Sequence, residues 1–299
     1  MTRERVYLFD TTLRDGAQTQ GVDFSVEDKR TIALALDELG IDYVEGGWPG
    51  ANPTDTAFFA DPPSFKHARF TAFGMTKRSG RSAANDPGLA ALLGTQAQSL
   101  CIVGKSWDFQ VKVALEIPLP ENLDNISESI AAIVARKREA MFDAEHFFDG
   151  YKANPDYALS ALKAAFDAGA KFLVLCDTNG GTLPEDAYRM VSEAKAKLPG
   201  ANFGIHAHND TEQAVAVSLA AVRGGARQVQ GTLNGLGERC GNANLCSVLA
   251  NLMLKEPYAS QYETGVSRDQ LAKLTHVSRL LDEILNRADR KSTRLNSSH

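Results

Sequence analysis

Two kinds of segment alternate along the chain. Short runs rich in β-branched and aromatic residues read as strands: VYLFDTT, DYVEGGWP, RFTAFG, QSLCIVGK, EAMFDAEHF, KFLVLCDT, FGIHAHN and RQVQGTLN. Between them lie longer stretches, rich in alanine and leucine, with apolar positions at helical spacing. SVEDKRTIALALDELG opens with Ser25 and Asp28, a capping-box pattern, and stops at Gly40. TLPEDAYRMVSEAKAKLPG opens with Thr182, carries Pro184 in its first turn and repeats the box with Glu185. EQAVAVSLAAVRGG closes at Gly224 and Gly225. Three helix-to-strand joints look alike, starting at Gly40, Gly169 and Gly225: a glycine ends the helix and an apolar strand follows.

Eight strands alternating with helices over about 250 residues predict an α/β fold of the (β/α)8 TIM-barrel class. An open doubly wound sheet is the competing expectation, but no strand-to-helix turn carries a dinucleotide fingerprint. Gly235, Gly237 and Gly241 give a spacing one residue too long. In a barrel, functional groups gather at the C-terminal strand ends. Arg14 and Asp15 follow the first strand, Glu145 ends the fifth and Thr178 follows the sixth. His206 and His208 end the seventh, and Asn242 follows the eighth. Residues far apart in sequence therefore converge on one mouth.

Bulk properties narrow the class. Apolar residues make up 43% and charged residues 23%, as in an ordinary globular protein able to bury a large core. A net charge of −5 gives no general attraction to nucleic acid or anionic lipid. No apolar run is long enough for a membrane span, and MTRERVYLFD lacks the features of a signal peptide. Cys101, Cys176, Cys240 and Cys246 have no metal-ligand spacing and read as free, buried or half-buried thiols of a reducing cytoplasm.

The chemistry centres on HAHND, residues 206 to 210. Residues i and i+2 of a strand point the same way, so both imidazoles can reach one divalent cation. With Asp15 as a carboxylate, the set suits Mn²⁺, Mg²⁺, Co²⁺ or Zn²⁺ with positions open for substrate. An α-oxo acid fits two such positions, its ketone polarised by the metal. Arg14 can hold a developing alkoxide or enolate, or form a structural ion pair. Glu145 is the best remaining carboxylate for proton transfer, or else a buried hydrogen-bonding acid. Thr178 can bind a carboxylate or serve a turn, and Asn242 can be a ligand or a glycine-loop turn residue. His146 points to the opposite face of an extended segment and is not expected to be a ligand. Trp48 and Trp107 line a pocket or pack the barrel mouth, and Gly46 and Gly47 allow close backbone approach there.

LFDTTLRDGAQ, HAHND and GLGERCGNANL together resemble the metal-dependent aldolase-like barrels. These include isopropylmalate synthase, homocitrate synthase, citramalate synthase and hydroxymethylglutaryl-CoA lyase. VEGGWPGANPTD, GKSWDF, DAEHFFDGYKANPDYAL and LCDTNGGTLPE look like the citramalate synthase branch, over residues 4 to 288. The resemblance implies a Claisen-type condensation of acetyl-CoA with pyruvate to citramalate and CoA, in branched-chain amino acid biosynthesis. It implies Asp15, His206, His208 and Asn242 as metal positions, Arg14 as oxyanion stabiliser, Glu145 as base and Thr178 as a contact to the oxo-acid carboxylate. It also implies a cytoplasmic homodimer. The acetyl-CoA comes from the resemblance alone.

The barrel is expected to occupy residues 1 to 288, with the start of a helical linker at its end. Residues 289 to 299, ending KSTRLNSSH, look non-native or disordered, and the family's C-terminal regulatory domain is expected to be absent. Since that linker is implied to supply an active-site His or Tyr, one rival reading is a metal- and oxo-acid-binding barrel without turnover. Others are a 2-isopropylmalate synthase or related oxo-acid synthase, and a lyase on the same scaffold, whose relatives carry a cysteine near the position of Cys240.

Overall fold

The computed structural model describes residues 2 to 286. Met1 and residues 287 to 299, including the tail singled out above, lie outside the described residues. Eight parallel strands, β1 Tyr7–Asp10, β2 Tyr43–Gly47, β3 Arg69–Met75, β4 Ser99–Lys105, β5 Glu139–Glu145, β6 Phe172–Asp177, β7 Phe203–Ala207 and β8 Ala226–Gly231, close a barrel in sequence order. The seam is formed by β1 and β8, where Tyr7 pairs with Gln228 and Asp10 with Gly231. All eight runs read as strands from the sequence are strands of the barrel. A short parallel pair, Glu4–Arg5 with Tyr262–Glu263, lies outside it.

Local sequence explains where the helices begin and end. In α1, Val26–Leu39, Ser25 and Asp28 form the reciprocal capping box, and Gly40 ends the helix at φ 89°. The helices Pro53–Ala60, Pro87–Gly94 and Pro155–Asp167 each start with proline after an Asn or Asp whose side chain accepts from the third residue of the helix. The helix Pro184–Lys197 departs from expectation. Its cap position is Leu183, with no side-chain cap. Buried Thr182 instead donates its hydroxyl to Asp177 Oδ1 at 2.8 Å, a tertiary bond that takes the side chain away from the helix end.

Strand alternation separates two apolar regions. One face of each strand, with Leu8, Val44, Leu100, Ile102, Phe142, Leu173 and Ile205, packs against the helices in one continuous core. The other face fills the lumen with Phe9, Tyr43, Cys101, Met141, Phe172 and Val174. Tyr7 on β1 meets Phe172 on β6, ring centroids 5.6 Å apart, although those strands are not neighbours. Side chains therefore plug the barrel at its N-terminal end.

Candidate active site

Further along the same inward faces, the apolar side chains give way to polar ones. Asp143 and Glu145 follow Met141 at two-residue steps on β5, and Glu45 follows Tyr43 on β2. Gln228 and Gln230 occupy the inward positions of β8. His206 faces inward on β7, and His208 follows one residue beyond the strand in a bridge to Asn242.

Asp15, His206 and His208 come together here and are buried. One possible ligand atom from each lies within 4.8 Å of the others. His206 Nε2 is 3.1 Å from Asp15 Oδ2 and 3.3 Å from His208 Nε2. Asn242 completes the cluster, its amide nitrogen donating to Asp15 Oδ2 at 2.7 Å. Its Oδ1 is buried without a partner, as is His208 Nδ1. Turning that amide over would bring a second oxygen beside the carboxylate, an arrangement that a cation stabilises. A Cβ at Gly237 would lie 2.0 Å from Asn242 Oδ1, so the glycine is what lets the amide in.

The electrostatics suit the same reading. Burial works against the Asp15 charge, but Arg14 and the two histidines more than offset it and hold its carboxyl well below the usual range. Burial also opposes charge on His206, yet hydrogen bonding and attraction from Asp15 raise its pKa. His208 is pushed down to about 4, by burial first and then by His206. A carboxylate that stays ionised beside a readily neutral imidazole is a good donor set for a divalent cation. The residues present fit one.

Arg14 lies against the cluster. Its Nε donates to Glu45 Oε2 at 2.7 Å, and its guanidinium sits 3.9 Å from the Phe73 ring centroid. Burial opposes its charge, and Glu45 and Asp15 outweigh that and raise its pKa. Glu45 in turn is pushed up to about 7 by burial, against the pull of Arg14. The ion-pair reading of Arg14 is thus realised, on the wall of the same cavity. That cavity has a volume of about 270 Å³ and is lined by Arg14, Asp15, Glu145, Thr178, His206 and His208 among others. Glu145 pairs with Lys105 at 2.5 Å. Thr178 Oγ1 accepts the backbone N–H of His146 at 2.8 Å, so it serves the turn while lining the cavity. Trp48 lines the cavity and also packs edge-on against Phe73.

Three details differ from the sequence reading. His146 is not extended: its backbone is left-handed at φ 57°, which turns its ring toward Trp107 and to 4.0 Å from Glu145. Cys240 is exposed rather than buried. Asp143, Glu45, Gln230 and Lys105 belong to the site and were not singled out, although polar residues at alternate positions of apolar strands are the signal that marks them. The expected close approach at Gly46 and Gly47 is present, with an added Cβ 2.4 Å from the Phe70 ring and 2.4 Å from the Asp55 carboxyl respectively.

Among known proteins, the chain is 51% identical over 285 residues to an (R)-citramalate synthase of Aquifex aeolicus, covering 95% of this chain and 53% of that protein. It is 50% identical to the (R)-citramalate synthase of Geobacter sulfurreducens, with 96% and 53% coverage. A 2-isopropylmalate synthase of Pelotomaculum thermopropionicum is more distant, at 32% identity with 90% and 52% coverage. The chain thus spans about half the length of these relatives. A crystal structure of the Bacillus subtilis HMG-CoA lyase superposes with a TM-score of 0.77 at 19% identity, covering 98% of this chain and 99% of that one, a likeness of fold alone. With the HMGL-like family model matching residues 5–278, from before the first strand to the last helix, the chain belongs to the HMGL-like family.

Proposed function

We propose that the chain carries the chemistry of a citramalate synthase: condensation of acetyl-CoA with pyruvate, followed by thioester hydrolysis, to give citramalate and CoA. The observation that carries the reading is the margin of similarity, 51% identity to an (R)-citramalate synthase against 32% to a 2-isopropylmalate synthase. Asp15, His206, His208 and Asn242 would hold the divalent metal, with Mn²⁺ the first candidate and Mg²⁺, Co²⁺ or Zn²⁺ the others. When bound, the metal supplies Lewis-acid polarisation of the pyruvate ketone.

The protein's own groups carry the remaining roles. Thr178 contacts the pyruvate carboxylate. Glu145 takes a methyl proton from the acetyl thioester, and the resulting carbanion forms the new carbon–carbon bond at the keto carbon. Arg14, held by Glu45, stabilises the oxygen charge that develops there. Water then cleaves the thioester, releasing CoA. A cytoplasmic homodimer is part of this reading, and four unpaired thiols fit a reducing compartment.

A second reading is that this barrel binds metal and pyruvate without turnover. CoA release, followed with a thiol reagent in the presence of Mn²⁺ and acetyl-CoA, separates the two. The expected result is turnover with pyruvate and little with 2-oxoisovalerate. Turnover with 2-oxoisovalerate alone overturns the substrate assignment. Pyruvate binding with no CoA release establishes the second reading. Glu145→Gln is expected to lower kcat by about 10²–10⁴ with metal binding intact, and unchanged kcat rules Glu145 out as the base.

A further inference from the structure

We propose that Asp143 fixes which nitrogen of His206 carries the proton, by orienting the Gln230 amide that lies between them, and so acts as a positioning residue for the metal site. The inference rests on the reading of His206 as a ligand through Nε2. Gln230 spans the two groups: its Oε1 is 2.8 Å from His206 Nδ1, and its Nε2 donates to Asp143 Oδ1 at 3.0 Å. The Cys101 thiol also donates to Asp143 Oδ1, at 3.1 Å. Asp143, Gln230, His206 and Cys101 are all buried, so water does not compete for these bonds.

The direction of each bond follows from the far end of the chain. A carboxyl oxygen accepts, so the Gln230 amide must present its NH₂ to Asp143 and its oxygen to His206. An oxygen facing Nδ1 draws the proton there, against the competing acceptor Asp15 Oδ2 at 3.1 Å from Nε2, and an Nδ1–H tautomer leaves the Nε2 lone pair toward Asp15 and His208, where a cation would sit. Turned the other way, Gln230 would set two oxygens against each other at Asp143 and place an N–H donor on Nδ1. The imidazole would then carry its proton on Nε2, where it blocks a cation. Neighbouring strands hold the geometry: His206 is in register with Gln230 on β7 and β8, while Asp143 reaches across the lumen from β5.

The test compares wild type, Asp143→Ala and Asp143→Asn. Nitrogen NMR of ¹⁵N-histidine-labelled, metal-free protein, taken above the pH at which the same spectra show His206 losing its second proton, reads the tautomer. Titration with Mn²⁺ alone reads affinity. Expected are Nδ1–H for His206 in wild type and Asp143→Asn, which keeps an acceptor oxygen, and a shift toward Nε2–H in Asp143→Ala with Mn²⁺ affinity about 10- to 100-fold weaker. If Asp143→Ala does not fold, Asp143→Ser, polar but too short to reach Gln230, replaces it. An alanine or serine variant with the wild-type tautomer, or with a changed tautomer and unchanged Mn²⁺ affinity, overturns the proposal. Wild type that binds no Mn²⁺ overturns the metal reading instead, and the tautomer comparison still decides the role of Asp143.

Discussion

The floor and the mouth of the lumen are built on the same strands, two residues apart, yet they follow opposite rules. On the floor, Phe172 meets Tyr7 and Tyr43 edge-on, Phe9 stacks on Tyr43, and the Tyr43 hydroxyl donates to Glu139 at 3.0 Å. At the mouth, Glu45 Oε1, His208 Nδ1 and Asn242 Oδ1 are buried without partners. Each such atom costs about 1–3 kcal/mol. The lumen therefore gathers most of its aromatic packing at one end of its axis, where Gln228 Oε1 is the buried atom left without a partner, and tolerates more unmet polar groups at the other, where a ligand can satisfy them.

The sharpest way to break this contrast is at the mouth. His208→Ala is expected to abolish saturable Mn²⁺ binding, measured by calorimetry, while leaving the metal-free melting temperature unchanged or higher. A large loss of metal-free stability would show that the mouth is structural after all. The converse change is Phe172→Ala on the floor. It is expected to cost about 3–5 kcal/mol in denaturant unfolding with Mn²⁺ affinity retained by the folded fraction. The smallest effect is on protons. Between the raised pKa of His206 and the value of about 4 for His208, one imidazole of the pair is protonated and Asp15 stays ionised. A cation must displace that proton, so affinity falls as pH drops below the pKa of His206, with release of about one proton per metal. The dependence steepens toward two only below about pH 4, where His208 also protonates. Calorimetry at pH 5.5 in two buffers of different ionisation heat counts the protons, and release near two would contradict the assigned order.

The strands were legible because apolar runs bounded by glycine and helical stretches leave few other options. The cluster of Asp15, His206, His208 and Asn242 was legible as a grouping because H-x-H on a strand aims two rings at one point, and the barrel brings Asp15 and Asn242 to them. What escaped was set by partners distant in sequence. Asp143 and Gln230 are single polar residues in apolar strands, and nothing local says that they face each other across a lumen. Thr182 looked like a helix cap because Pro184 and Glu185 follow, but Asp177 competes for its hydroxyl. His146 reads as extended by continuity with its strand, and only the left-handed turn brings its ring beside Glu145.

The seam of the barrel has a consequence for how the molecule comes into being. Asp15 and Asn242 touch across 227 positions of sequence, on the two sides of the β1–β8 closure. A ribosome must deliver Asn242 before those atoms can meet, so within the barrel the cluster forms only after the last strand has been made. Any ion gripped by both stretches favours the closed ring over every partly zipped arrangement, much as a clasp holds a bracelet. Supply of such an ion would then bear on the yield of finished protein as well as on its chemistry.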